Sequence, residues 1–345
     1  KNAGNAHRSV WLTRKITPLT DLVALFQLIG IIIRFRPRII HSHTPKAGLL
    51  GMLAAWICRV PIRIHTVAGL PLMETKGIKL GLLKVTEQIT YACAHKIYPN
   101  SKGLMEFIAS HFKDYEKKLR IIGMGSSNGI DTTHFLRTPE LENVAKELRK
   151  KLGIADNGIV FGFVGRMVGD KGIRELVAAF KKINESGKKV YLLLVGKMEA
   201  DLDPIEKADR EYINSTGNVF VVGYQHDVRP WMLAMDVFVF PSYREGFPNV
   251  VMQAACLELP NIVSDINGCN EIIQHGETGI VVPAKNQEAL AEAMEYLLDN
   301  VQCREQFGKR AREFVKKHFE QRLVWDNLLK EYLDLLGHEK LNDKK

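Results

Sequence analysis

The feature that most constrains this chain is an alternation. Short runs of β-branched and aromatic residues recur, each followed by a segment of helix length. In the second half the runs are Ile159–Val164, Val190–Val195, Val219–Val222, Val237–Phe240, Asn261–Ser264 and Ile280–Val282. Helices are expected near Ile173–Asn184, Asp227–Ala234, Val250–Leu257 and Gln287–Asn300, with two more over 302–318 and 320–336. The first half has the same rhythm. Strands are expected at Arg38–His43, Ile62–Val67, Lys96–Pro99 and Leu119–Ile122, and helices over Leu19–Arg34, 46–58, Leu80–Ala94 and from Ser101. Parallel strands need crossovers of helix length, so the alternation predicts an α/β protein built from βαβ units.

A length of 345 residues suits two domains, each able to bury its own core. The segment Asn128-Gly129-Ile130-Asp131, followed by a charged helix over 139–151, marks the boundary between two βα series. The expected division is 1–137 and 138–319, with a closing segment 320–345. Two doubly wound domains would face each other across a cleft, with ligands at the carboxyl ends of the strands.

The formal net charge of +9 is uneven: residues 1–130 hold 19 Lys and Arg against 6 Asp and Glu, and residues 131–345 hold 29 against 33. A basic domain points to an anionic partner, which could be nucleic acid, an anionic membrane face or a phosphorylated substrate. The five cysteines form no C-x-x-C pair, which argues against a disulfide framework or structural zinc and for a reducing compartment. The chain starts at Lys1 with no charged-then-apolar leader pattern and reads as lacking an opening segment. The longest apolar runs, Leu22–Ile33 and Ala47–Cys58, are shorter than a bilayer span and read first as buried helices, a helix on a membrane surface being the alternative.

Three local patterns carry chemistry. The first, Val164-Gly165-Arg166-Met167-Val168-Gly169-Asp170-Lys171-Gly172, joins a strand to a helix. Glycines allow a tight turn, and Arg166 and Lys171 add cations at a helix N-terminus, a combination suited to a diphosphate. The Gly-Lys-Ser/Thr order of a Walker A loop is absent. The second runs from Pro241 through Ser242-Tyr243-Arg244-Glu245-Gly246-Phe247-Pro248-Asn249-Val250 to Gln253, again opening a helix after a strand. Glu245 and Gln253 supply hydrogen-bonding groups suited to sugar hydroxyls beside a phosphate-binding helix end. The third, Ser264 to Glu271 with His275-Gly276-Glu277-Thr278-Gly279 behind it, is turn-rich and weakly informative.

In this order the three patterns resemble the C-terminal half of a GT-B glycosyltransferase of family 4, the group 1 retaining transferases. The resemblance extends over nearly the whole chain, through Pro37–His43, Pro99-Asn100-Ser101 and Asn128–Asp131. It implies two Rossmann-like domains, the first binding the acceptor and the second a nucleotide-sugar, with the closing helix crossing back to the first. It makes Arg166 and Lys171 ligands of the donor diphosphate, with Gly165 in the same loop. Glu245 would meet the donor sugar, Gly246, Phe247, Pro248, Asn249 and Val250 would lie near sugar and phosphate, and Tyr224 would lie by the base. Many members have a second glutamate eight positions after the first; here that position is Gln253.

The sequence departs from the family in the first domain. The family's opening strand and glycine-rich loop are not in the chain, and Ala68 stands where a histidine is common, with His65 three residues earlier as a weaker catalytic candidate. His41 and His43 share that doubt. The expected reaction moves a hexose or N-acetylhexosamine from a UDP-sugar, or secondly a GDP-sugar, to a lipid-linked or oligosaccharide acceptor in bacterial capsule or related surface-glycan synthesis. The enzyme would sit in the cytoplasm, peripherally at the inner membrane face. No cofactor or metal is expected; the triplet Asp201-Leu202-Asp203 reads as part of a solvated acidic stretch. Other readings are an epimerase of the same fold, an inactive fragment, or a basic nucleic-acid or anionic-surface binder. No nucleic-acid partner is expected, because no helix-turn-helix, zinc module or RNP-like stretch appears.

Overall fold

The structure, a computed structural model, describes residues 7–13, 17–70, 72, 75, 77–199 and 203–342, apart from the side chains at 78, 79 and 338–342. The chain divides into two compact units, residues 1–127 with 326–345, and residues 128–325.

The first unit holds α1 (Pro18–Phe35), β1 (Ile39–His43), α2 (Pro45–Ile57), β2 (Ile62–Val67), α3 (Ile78–Cys93), β3 (Lys96–Pro99) and α4 (Lys102–His111). Its described strands form a parallel sheet in the order β1-β2-β3, with Ile39 opposite Ile62 and Ile64 opposite Lys96. Strand alternation sends Ile39, Ile62, Ile64 and Tyr98 to a core closed by Tyr332, Leu335 and Leu336. On the other face, Gly48 of α2 lies so close to the His65 ring that an added Cβ would come within 2.3 Å of it. The strand expected over Leu119–Ile122 shrinks to one bridge between Leu119 and Ile97. After Arg120 N–H donates to the Ile97 carbonyl, the left-handed backbone at Gly123, Gly125 and Ser126 turns the chain away from the sheet.

The second unit holds α5 (Pro139–Lys151), β4 (Ile159–Val164), α6 (Ile173–Asn184), β5 (Val190–Val195), α7 (Lys207–Ser215), β6 (Val219–Val221), α8 (Arg229–Leu233), β7 (Val237–Phe240), α9 (Asn249–Cys256), β8 (Asn261–Ser264), α10 (Cys269–Ile272), β9 (Gly279–Val282), α11 (Gln287–Asp299) and α12 (Val301–Phe319). Last comes α13 (Gln321–Asn342), which starts in this unit and ends in the first. The sheet is parallel throughout, in the order β6-β5-β4-β7-β8-β9. The chain builds outward from β4 to β6, returns beside β4 as β7, and builds outward the other way. That reversal leaves a crevice beyond the carboxyl ends of β4 and β7, where doubly wound sheets bind ligands.

Residues 128–137 go with the second unit, where the sequence division at 137/138 leaves them in the first. Ile130 N–H donates to Phe319 O at 2.8 Å, and the Ile130 carbonyl oxygen accepts from Gln321 N–H at 2.9 Å. Arg312 reaches the Thr132 and Phe135 carbonyls at 3.3 and 3.1 Å. These bonds tie the linker to the junction of α12 and α13.

Candidate functional site

The loops leaving β4 and β7 carry the first two sequence patterns, and the reversal of strand order sets them side by side. Gly172, the N-cap of α6, has φ +69°, and a Cβ there would come within 2.0 Å of the Pro241 carbonyl oxygen. Only glycine lets the β4 loop enter α6 while touching the β7 loop. Below them, Met167 and Val168 are buried, and Met167 N–H donates to Lys197 O at 2.8 Å.

Side chains link the same loops. Lys171 Nζ donates to Glu245 Oε1 and lies 3.5 Å from Ser242 Oγ. The buried Ser242 hydroxyl lies 3.1 Å from Glu245 Oε1 and 3.3 Å from the Asp170 carbonyl oxygen. Arg244 donates to Asp170 Oδ2 from Nε and Nη2 at 3.2 and 3.0 Å. Tyr243 N–H donates to Asp170 O at 2.9 Å, and its hydroxyl donates to Glu175 Oε2 at 2.6 Å. Burial and the Glu175 carboxylate keep that phenol protonated.

The other candidates distribute around this pair of loops. Gly165 N–H donates to Val195 O at 2.9 Å. Arg166 is half-exposed and donates to Glu199 at 3.1 Å, so it shares a loop with Lys171 but has a separate partner. Phe247 packs on Phe319 with ring centroids 5.1 Å apart, Pro248 is buried, and Asn249, Val250 and Gln253 belong to α9. Gly246 and Phe247 are backed by Gly268, where a Cβ would come within 2.6 Å of Gly246 O, so the third pattern walls the second. Exposed Tyr224 stands with its ring 5.6 Å from Lys197 Nζ.

His65 belongs to the first unit and is 1% exposed, with Nδ1 2.9 Å from Ser42 Oγ. Burial, with the nearby His43 charge, holds it down to about 4, so it is neutral near pH 7. His41 bridges Tyr332 and Thr66 at 2.5 and 2.6 Å and is held down to about 3, chiefly by burial and then by His43 and His65. Burial likewise lowers His43, whose ring stacks on His41 at 4.3 Å.

Asp201 and Leu202 of the acidic triplet lie outside the described residues. Asp203 has a definite task rather than a merely solvated place: its carboxylate accepts the Asp170 N–H at 2.7 Å and its carbonyl the Gly169 N–H at 3.0 Å. Among the described residues no cluster of three or more His, Cys, Asp or Glu has metal-holding geometry. Sequence reasoning assigned no role to Ser242, Asp170, Arg244 or Glu199. Three of these lie inside the two patterns, but their partners are visible only after folding.

Sheet order and the crossing at its reversal define the second unit as a doubly wound α/β domain. The family described as Glycosyl transferases group 1 matches residues 144–314, and Glycosyl transferase 4-like domain matches residues 2–124. The chain belongs to the group 1 glycosyl transferases and is an enzyme of that kind. It is 37% identical over 317 residues to the capsular polysaccharide biosynthesis glycosyltransferase CapM of Staphylococcus aureus, across 92% of this chain and 82% of that protein. It is 29% identical to the Escherichia coli UDP-Gal:alpha-D-GlcNAc-diphosphoundecaprenol alpha-1,3-galactosyltransferase, across 84% of this chain and 73% of that one. In fold it is similar to Anabaena Alr3699/HepE in complex with UDP-glucose, with a TM-score of 0.76 at 18% identity over 92% of this chain and 84% of that one. These likenesses agree with the α/β GT-B fold expected from the sequence.

Proposed function

We propose that the protein transfers a hexose or N-acetylhexosamine from a nucleotide-sugar, UDP favoured over GDP, to a lipid-linked or oligosaccharide acceptor in surface-polysaccharide synthesis, with retention at the anomeric carbon. The observation that carries this reading is the Lys171–Glu245–Ser242 cluster at the reversal of the second sheet. The names of the Staphylococcus and Escherichia relatives support the polymer and the lipid diphosphate acceptor. The UDP-glucose complex of the Anabaena neighbour supports the donor class.

In the free protein the Lys171 ammonium is neutralised by Glu245. A donor diphosphate brings its own negative charge to that ammonium, with Arg166 as a second cation and the α6 N-terminus behind both. Glu245 is then left to accept hydrogen bonds from sugar hydroxyls. As the sugar–phosphate bond breaks, charge grows on the leaving diphosphate. A preorganised donor there lowers the barrier by about 3 kcal/mol, by analogy with oxyanion-hole losses. The acceptor hydroxyl attacks from the leaving-group side and its proton passes to the departing phosphate, so no enzyme nucleophile is used. The scheme runs on protein cations and invokes no metal. The basic first unit supports peripheral contact with an anionic membrane face.

The test is a thermal-shift panel of UDP-, GDP- and dTDP-sugars followed by turnover of the best binder. Stabilisation by a UDP-sugar, lost in Lys171→Ala, is expected. Equal stabilisation of wild type and variant would remove Lys171 from the donor site.

A further inference from the structure

α1 is apolar on both faces. Its inner face packs on α2, with Ala24 and Ile32 buried near Ala54 and Ala55. Its outer stripe consists of Leu19, Leu22, Val23, Phe26, Gly30 and Ile33, which recur at helical spacing. Leu19, Phe26 and Ile33 are 83%, 64% and 61% exposed, and no polar residue interrupts the stripe. A helix on a globular surface turns charged residues to water; one hydrophobic all round has an apolar environment on both sides. The sequence expectation of a buried helix over Leu22–Ile33 is therefore corrected: one face is buried and the other open. By length and composition α1 could cross a bilayer. Its inner face is already occupied, however, and β1 follows it at Ile39, so the helix lies flat on its unit.

Trp56 and Ile57 of α2, which packs against α1, are exposed as well, as are Leu82, Val85 and Ile89 of α3. Trp11 lies against α1, its N–H donating to Gln27 Oε1 at 3.1 Å while its indole is exposed. The surrounding charge is one-sided. Residues 7–67 contain nine Lys and Arg against one acidic residue, Asp21, which is paired with Lys46 at 2.5 Å. Arg34 and Arg36 stand exposed at the end of α1, and Arg59 just past the end of α2. A second copy across a two-fold axis would set this cationic rim against itself. A bilayer with anionic headgroups satisfies both the stripe and the rim.

We propose that α1 is an in-plane docking helix. Leu19, Leu22, Phe26 and Ile33 enter the boundary between headgroups and acyl chains, and Arg34, Arg36 and Arg59 meet lipid phosphates. The proposal deepens the lipid-linked acceptor reading, and rests on it for its purpose, since such an acceptor is presented in the same bilayer.

The test is flotation of the purified full chain with vesicles of phosphatidylcholine alone or mixed with phosphatidylglycerol, at low and high salt. Hydrolysis of UDP-glucose or UDP-N-acetylglucosamine is measured in parallel without vesicles. Wild type is expected to float with the mixed vesicles and to be released by salt. Leu22→Glu/Phe26→Glu is expected to lose at least about tenfold in partitioning, and Arg34→Glu/Arg36→Glu to lose the salt-sensitive part. Because these side chains are exposed, the melting temperature and hydrolysis should be unchanged. If wild type stays unbound, or Leu22→Glu/Phe26→Glu floats as wild type does, the docking face is overturned while the transferase reading stands. A wild-type dimer abolished by Leu22→Glu/Phe26→Glu would overturn it too, assigning the stripe to self-association. Flotation as expected without hydrolysis of either sugar nucleotide would leave the docking face and count against the proposed UDP-sugar donor.

Discussion

Lys171 and Glu245, 74 residues apart in sequence, are bonded to one another at the reversal of the second sheet. Both side chains are mostly shielded, and Ser242 Oγ is in reach of both. The pair holds its two charges ready in low dielectric without an unpaired ion in the free enzyme. On the proposed reading, exchange of the Glu245 carboxylate for a donor diphosphate keeps Lys171 paired while releasing Glu245 to a second task.

Loss of either cation should therefore act on transfer. Lys171→Ala and Arg166→Ala are each expected to lower kcat/KM at least about tenfold. Glu245→Gln should slow transfer with UDP affinity nearly kept. Steady-state kinetics with calorimetric UDP titration check this, and a collapse of UDP affinity in Glu245→Gln would move Glu245 to the nucleotide.

The Asp170–Arg244 bonds staple the two loops at the protein surface, where an ion pair contributes under about 1 kcal/mol to stability. Arg244→Ala is expected to leave the melting temperature almost unchanged and to raise the donor KM several-fold more than it lowers kcat. A melting shift of the size seen for core variants, with KM unmoved, would make the pair purely structural.

Gly172→Ala adds a left-handed alanine and a carbon in the space of the Pro241 carbonyl. Backbone strain of this kind costs about 1–3 kcal/mol, and relief of the contact requires the two loops to part. Denaturant unfolding should show that loss, and sugar-nucleotide binding should weaken with it. Full affinity in a folded Gly172→Ala would mean that the loops need not touch.

Burial pushes the Glu87 carboxyl up from 4.5 to about 7. Between those values the folded state holds the proton more tightly than the unfolded chain, so this group lowers stability as pH rises, with the full cost present above 7. At these values that cost is about 3 kcal/mol. His65 and His41, held down to about 4 and about 3, act in the opposite sense and lower stability as pH falls below 6.5. Glu87→Gln should melt at the wild-type temperature near pH 4.5, gain steadily to pH 8, and show a steeper acid limb than wild type. Thermal melts across that range decide it; no gain at pH 8 would contradict a buried ionised Glu87.

Much of this protein was legible because its signals are local. Strands β4, β5, β7 and β8 begin and end where the sequence runs do, and both loop patterns sit where a strand gives way to a turn. The strand expected at Leu119–Ile122 failed because composition fits a strand there while the left-handed turn from Gly123 to Ser126 leaves room for one bridge only. Ser242 and Asp170 were present as letters in the patterns but had no assignable role, since a hydrogen bond across two loops exists only once both loops are placed.

By itself the sequence determined the α/β class and the family to which the loop patterns belong, because periodicity and turn chemistry act over a few neighbouring residues. The tertiary structure decided which strands are neighbours, that Lys171 meets Glu245, that His65 is interior, and that one side of α1 is open. A helix apolar all round carries no amphipathic asymmetry to mark its outer side. Only the packing of Ala24 and Ile32 on α2 decides that Leu19, Phe26 and Ile33 face outward.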